Sequence, residues 1–233
     1  MRKECDNATF AALKDKRWKT YIDQCTHDKF TIQGPDGNEI DIWMIKAKAN
    51  IDEKDLAPIV HFHGGGGYAG SAEHEKYVES RLAVENKVCY FNVKFRLGPE
   101  VQYGTGHSDG KAAIEYMMEN ADKHGCDPKK LCITGESGGG WITMGSAILM
   151  SREGDKCDKV KLMLLTCPML GALASKKDSK KEDMADWEKD VWRHRQEDFA
   201  IHTDNLEDHM DDPLLFPFLL PIEDMKKLPK CVL

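Results

Sequence analysis

From residue 57 onward the chain alternates short apolar runs with longer amphipathic stretches, and this alternation limits the fold more than any other feature. PIVHFHG (58–64), KVCYFNVKF (87–95), KKLCITG (129–135) and KLMLLTCPML (161–170) read as strands. AEHEKYVESRLAVEN (72–86), SDGKAAIEYMMENADKHG (108–125) and GGGWITMGSAILMSREG (138–154) read as helices. Strands separated by helical stretches predict an α/β fold: a mostly parallel sheet covered by helices. In the middle helix Ala113, Tyr116, Met117 and Ala121 recur at helical spacing, Ser108 or Asp109 is placed to cap its start, and Gly125 with Pro128 ends it.

The flanks differ. Residues 1–28 read as an N-terminal helical segment, with Phe10, Leu13, Trp18 and Tyr21 set among lysines and aspartates. In KFTIQGPDGNEIDIWMIKA (29–47) the period becomes two on either side of Gly34-Pro35-Asp36-Gly37-Asn38, which predicts a β-hairpin. Residues 172–212 are rich in Lys, Asp and Glu but keep Met184, Trp187 and Val191 on one helical face; they read as a cap-like insertion, either a lid or a solvated surface excursion. Trp187, Trp192 and Phe199 are its candidate pocket-lining or packing aromatics. Beyond it come a Pro-punctuated apolar loop, a short helix and the opening of a strand at Lys230-Cys231-Val232-Leu233.

A chain of 233 residues, 41% hydrophobic, suffices for one substantial core, so a single domain is expected. The formal charge of −7 offers no broad cationic surface for phosphates, which argues against nucleic-acid binding. The charged N-terminus lacks a signal-like apolar run, and no stretch approaches the roughly 20 apolar residues of a membrane span, so stable membrane insertion is not expected and a cytoplasmic location is. The eight cysteines are scattered. Cys89, Cys132, Cys167 and Cys231 fall within apolar strand-like runs and are expected to be buried. No CxxC pair or Cys/His spacing suggests a metal, and nothing calls for a cofactor. Oligomeric state is left open.

The chemistry concentrates at two glycine-rich segments. Gly135-Glu136-Ser137-Gly138-Gly139 matches G-x-S-x-G, directly after an apolar strand and directly before a helix, which is the context of a nucleophile elbow. Glycines flank the serine because the turn brings backbone segments into contact, and the helix N-terminus behind it favours developing negative charge. About 70 residues earlier, again at a strand end, stands His61-Phe62-His63-Gly64-Gly65-Gly66-Gly67. Acyl transfer builds an oxyanion, best stabilised by preorganised backbone N–H groups; Gly64 and Gly65, with Gly138 after the serine, are the expected donors. A phosphate loop is the weaker reading, since no GKS/GKT or GxGxxG follows. His63 reads as a loop-ordering residue, and His61 as pointing to the other face of its strand.

Together these motifs resemble the hormone-sensitive-lipase-like branch of the α/β hydrolases, which includes bacterial esterases, arylacetamide deacetylases and plant carboxylesterases. The resemblance runs from about residue 30: His63-Gly64-Gly65-Gly66, then Phe95-Arg96-Leu97-Gly98-Pro99-Glu100 where Tyr-Arg-Leu-Ala-Pro-Glu is usual, then Asp109, then Gly135-Glu136-Ser137-Gly138-Gly139 where Gly-Asp-Ser-Ala-Gly is common. It implies an α/β-hydrolase fold and a serine carboxylesterase acting on a small-molecule ester through an acyl-enzyme, with Arg96, Glu100 and Asp109 pinning a loop beneath the site by buried polar contacts. In that family the catalytic acid and then the histidine follow the next core strand, here Lys230–Leu233, so the chain is expected to be C-terminally incomplete and to lack both. Asp212, His194, His202 and His209 are weak substitutes. The alternative from another class is a catalytically inactive relative that binds ligands or proteins.

Overall fold

The computed structural model describes residues 16–171, 197 and 199–233. Helix α1 (Lys16–Ile22) precedes β1 (Cys25–Gln33), which pairs antiparallel with β2 (Glu39–Ala47) along its whole length, from Cys25 opposite Ala47 to Gln33 opposite Glu39. The hairpin is therefore as expected, but the helical segment assigned to 1–28 ends sooner. Cys25 is buried in the core and residues 25–28 each pair with β2, so tertiary pairing overrides the local helical pattern. Residues 1–15, with Phe10 and Leu13, lie outside the described residues.

The seven strands run in the order β1-β2-β4-β3-β5-β6-β7. β2 is antiparallel to β4 (Val88–Val93); β4, β3 (Ala57–Phe62), β5 (Cys132–Glu136), β6 (Leu162–Thr166) and β7 (Cys231–Val232) pair in parallel. The apolar composition of β3, broken only by His61, follows from its place: strands covered on both faces need no polar alternation. Helix α2 (Lys76–Asn86) covers one face, where Ala83 packs with Cys25, Ile45 and Ala47. Helices α3 (Thr105–Asn120) and α4 (Gly138–Ser151) share the opposite core with Val60, Phe62, Phe91 and Ile133, contributing Ile114, Met117, Trp141 and Met150. Among the described residues no helix is long and apolar enough to cross a membrane.

Three local expectations change. Helix α3 starts at Thr105, and Asp109 is no cap: it lies fully buried one turn inside, where its carboxylate accepts from the Arg96 backbone N–H at 3.0 Å, from Arg96 Nε at 2.9 Å and Nη2 at 2.8 Å, and from Asn38 Nδ2 at 3.2 Å. The pinning contact ascribed to Arg96 and Asp109 is present, but Glu100 is exposed. Cys167 and Cys231 are exposed too, and Cys132 is half-buried; only Cys89 of those four is enclosed, since Cys231 stands on the edge strand β7 and Cys167 follows the end of β6, whereas β4 lies inside the sheet. Of the cap-like insertion, residues 172–196 and 198, including Met184, Trp187, Val191, Trp192 and His194, lie outside the described residues. Phe199 is buried between Trp141 and Phe216, which is a packing role.

Candidate active site

β5 delivers the chain to Ser137 and α4 carries it away within one residue. The reversal requires φ 52° and ψ −116° at Ser137, a region that L-residues rarely occupy and that costs about 1–3 kcal/mol. The surroundings hold it there. Ser137 N–H donates to Thr166 O at 2.9 Å, and Ser137 O accepts from Met169 N–H at 3.0 Å and Trp141 N–H at 3.2 Å. A side chain at Gly139 would collide with the carbonyl oxygens of Phe62 and His63, so glycine there lets α4 seat against the end of β3.

That seating brings the second glycine segment to the serine. An ideal Cβ on Gly64 would stand 3.8 Å from Ser137 Cβ, and one on Gly138 only 2.5 Å from the Gly67 nitrogen and 2.6 Å from that of Gly66. Gly65, Gly66 and Gly67 hold φ of 118°, 64° and 77°, so the strip turns sharply over the elbow. Among the described residues, the amides of Gly64, Gly65, Gly66, Gly67 and Gly138 donate no hydrogen bond within the protein, and Gly64–Gly66 and Ser137 are partly open to solvent. Two rings brace the strip. His63 stacks on Phe95 at 4.5 Å and its Nδ1–H donates to Gly64 O at 2.8 Å, the loop-ordering position expected for it; His202 Nε2–H donates to Gly66 O at 2.7 Å. The Phe that replaces Tyr at position 95 packs its ring on His63 and Phe62.

A family model described as the alpha/beta hydrolase fold matches residues 59–233, three quarters of the chain. The chain belongs to the α/β-hydrolase family. Its relatives agree with the hormone-sensitive-lipase-like branch. Carboxylesterase NlhH of Mycobacterium tuberculosis is 35% identical over 88 residues, which are 38% of this chain and 28% of that protein. Neutral cholesterol ester hydrolase 1 of Pongo abelii is 27% identical over 142 residues, 59% of this chain and 35% of that one. An esterase structure from Rhizomucor miehei superposes with a TM-score of 0.79 over 99% of this chain and 71% of that chain, at 23% identity, a likeness of fold. The matches span about a third of the length of these two curated relatives.

In this α/β hydrolase the elbow and the glycine strip meet; among the described substitutes His202 joins the strip only as a donor, and His209 and Asp212 are bonded elsewhere. His202 Nε2 must carry a proton to bond the Gly66 carbonyl, so that nitrogen does not accept one. His209 Nδ1 lies 2.9 Å from the Tyr103 hydroxyl, which donates to Asp212 Oδ2 at 2.6 Å, and Asp212 Oδ1 accepts from Leu214 N–H at 2.8 Å. His61 does turn to the face opposite Phe62, as expected. What the sequence reading missed is its company there: Glu75 and Glu79, with the three donor atoms within 4.8 Å of one another. Burial, helped by the Glu136 charge, pushes the Glu75 carboxyl up to about 7; burial first, then the charges of Glu75 and Glu136, raises Glu79 well above the usual carboxylate range, and burial lowers His61 to about 3. The signal available was the i, i+4 spacing of Glu75 and Glu79, which aligns both on one helical face.

Proposed function

We propose that Ser137 is the nucleophile of a carboxylic ester hydrolase that passes through an acyl-enzyme, with small-molecule esters as substrates. The observation that carries this reading is the set of backbone N–H groups at Gly64–Gly67 and Gly138, without an acceptor among the described residues and gathered against a partly open serine held at positive φ. In the reaction Ser137 Oγ attacks the acyl carbon, the carbonyl oxygen takes up the electron pair, and these N–H groups are the donors for it. Gly64, Gly65 and Gly138 remain the assigned donors, with Gly66 and Gly67 close enough to Gly138 to share the role. The names of the relatives support ester hydrolysis. We assign the proton-accepting histidine and its acid to none of the described residues.

The engagement of His202, His209 and Asp212 elsewhere favours a second reading, a relative that binds ligand without turning it over. A fluorophosphonate probe separates the two in the full-length protein, because only an activated serine beside an oxyanion site is phosphonylated readily. Stoichiometric labelling that disappears in Ser137→Ala, together with Ser137-dependent hydrolysis of p-nitrophenyl butyrate, is the expected result. Labelling that persists in Ser137→Ala would remove Ser137 from the role, and a wild-type protein that neither labels nor hydrolyses would favour the second reading.

A further inference from the structure

We propose that His61, Glu75 and Glu79 form a binding site for one divalent transition-metal cation, with Zn2+ the best match, between the end of β3 and the start of α2. The geometry comes first. His61 Nε2 lies 3.9 Å from Glu75 Oε2 and 3.8 Å from Glu79 Oε1. Those gaps are too long for hydrogen bonds and too short to hold a separate water bridge along each one. His61 is 8% exposed and Glu79 2%, yet His61 Nε2 and Glu79 Oε2 are both buried without a partner. A buried polar atom without a partner is unfavourable, so an unpartnered His61 Nε2 with carboxylate oxygens of Glu75 and Glu79 at 3.9 and 3.8 Å indicates that something occupies the space between the three side chains.

The donor set selects the occupant. On the other side of the ring, Nδ1 sits 2.7 Å from Thr134 Oγ1. With Nδ1–H donating to that hydroxyl, the Nε2 lone pair faces the two carboxyl groups, which is the tautomer and support a metal-binding histidine uses. One imidazole and two carboxylates around a dication form an electrically neutral unit, which removes the mutual repulsion of the two carboxylates and their repulsion from Glu136. Zinc bonds to nitrogen and oxygen at about 2.0–2.2 Å and so spaces tetrahedral donors at about 3.3–3.6 Å. Small side-chain rotations therefore close the ring of donors. Glu75, 22% exposed in its side chain, gives the ion its way in and leaves room for water as a fourth ligand. Bound there, the cation would tie α2 to β3 two residues before His63.

The test does not depend on ester hydrolysis. Metal-stripped protein is titrated with Zn2+ by equilibrium dialysis and calorimetry, with thermal unfolding followed alongside. One ion per chain is expected, with a rise in Tm. Glu75→Gln and His61→Gln should each weaken binding by about tenfold or more and remove that rise. His61 is buried and its replacement risks misfolding, so partly exposed Glu75 gives the deciding variant. Absence of stoichiometric binding to the wild type would overturn the proposal. So would unchanged affinity and stabilisation in Glu75→Gln, which would move the ion to a surface site such as the exposed cysteines, and so would displacement of Zn2+ by equimolar Mg2+.

Discussion

Gly135, Gly138 and Gly139 around Ser137 carry no side chains because the space a side chain needs is already backbone, and the position most informative about this is 138. Alanine is common there in the resembling family, and at the first turn of a helix alanine exceeds glycine by up to about 1 kcal/mol in propensity. Here an added Cβ would meet the Gly66 and Gly67 nitrogens at 2.6 and 2.5 Å, contacts with backbone that no rotamer change relieves. Overpacking of this kind costs about 1–3 kcal/mol and outweighs the propensity gain. Gly138→Ala is thus expected to lower stability in urea denaturation and to displace the glycine strip. A variant more stable than wild type would show that the strip stands further from the elbow.

Between elements, the Asp109 carboxylate joins three pieces that are distant in sequence: the turn of the β1–β2 hairpin through Asn38, the segment after β4 through Arg96, and its own helix α3. Arg96 extends the bond to Asp36 at 2.7 Å, so the hairpin tip is tied down twice. The Arg96 side chain is 29% exposed while that of Asp109 is not exposed at all, so removing the carboxylate strands an Arg96 backbone N–H and a partly desolvated guanidinium. Asp109→Ala should cost about 3 kcal/mol, at the low end for a broken buried pair because the arginine retains some water. Asp109→Asn, which keeps an acceptor, should cost less. Chemical denaturation measures both, and a loss under about 1 kcal/mol in the alanine variant would mean that water replaces the bond without penalty.

At the scale of the molecule, most of the exposed large apolar side chains among the described residues fall near the C-terminal edge, with Ile51 and Val78 the exceptions. Phe218, Ile222, Met225, Val232 and Leu233 are exposed, and Leu164 of β6 is 40% exposed beside β7. β7 is a two-residue edge strand with both residues open. An apolar edge with unpaired backbone groups recruits further strands. A polypeptide of these 233 residues is therefore expected to self-associate at micromolar concentration in sedimentation velocity, and Val232→Lys should shift it toward monomer. A monodisperse wild-type monomer would show that the edge is protected.

Much of this was readable from residue order alone, and for one reason: it depends on neighbours along the chain. The G-x-S-x-G elbow, the alternation of strands and helices and the hairpin turn are short-range matters of steric fit and period, and they stand where the sequence put them. Even there, the start of α3 and the end of the N-terminal helical pattern moved, because Asp109 and Cys25 take long-range partners that local pattern does not encode. The rest was decided by tertiary structure. His202 braces the strip 136 positions away, and His209 and Asp212 meet at Tyr103 across more than 100. His61 finds two glutamates only because α2 covers the sheet face to which His61 turns, and the exposure of Cys231 follows from its place on the edge strand. Sequence records which groups are available; burial and partnership, which set their charge and reactivity, exist only once distant segments exclude water between them.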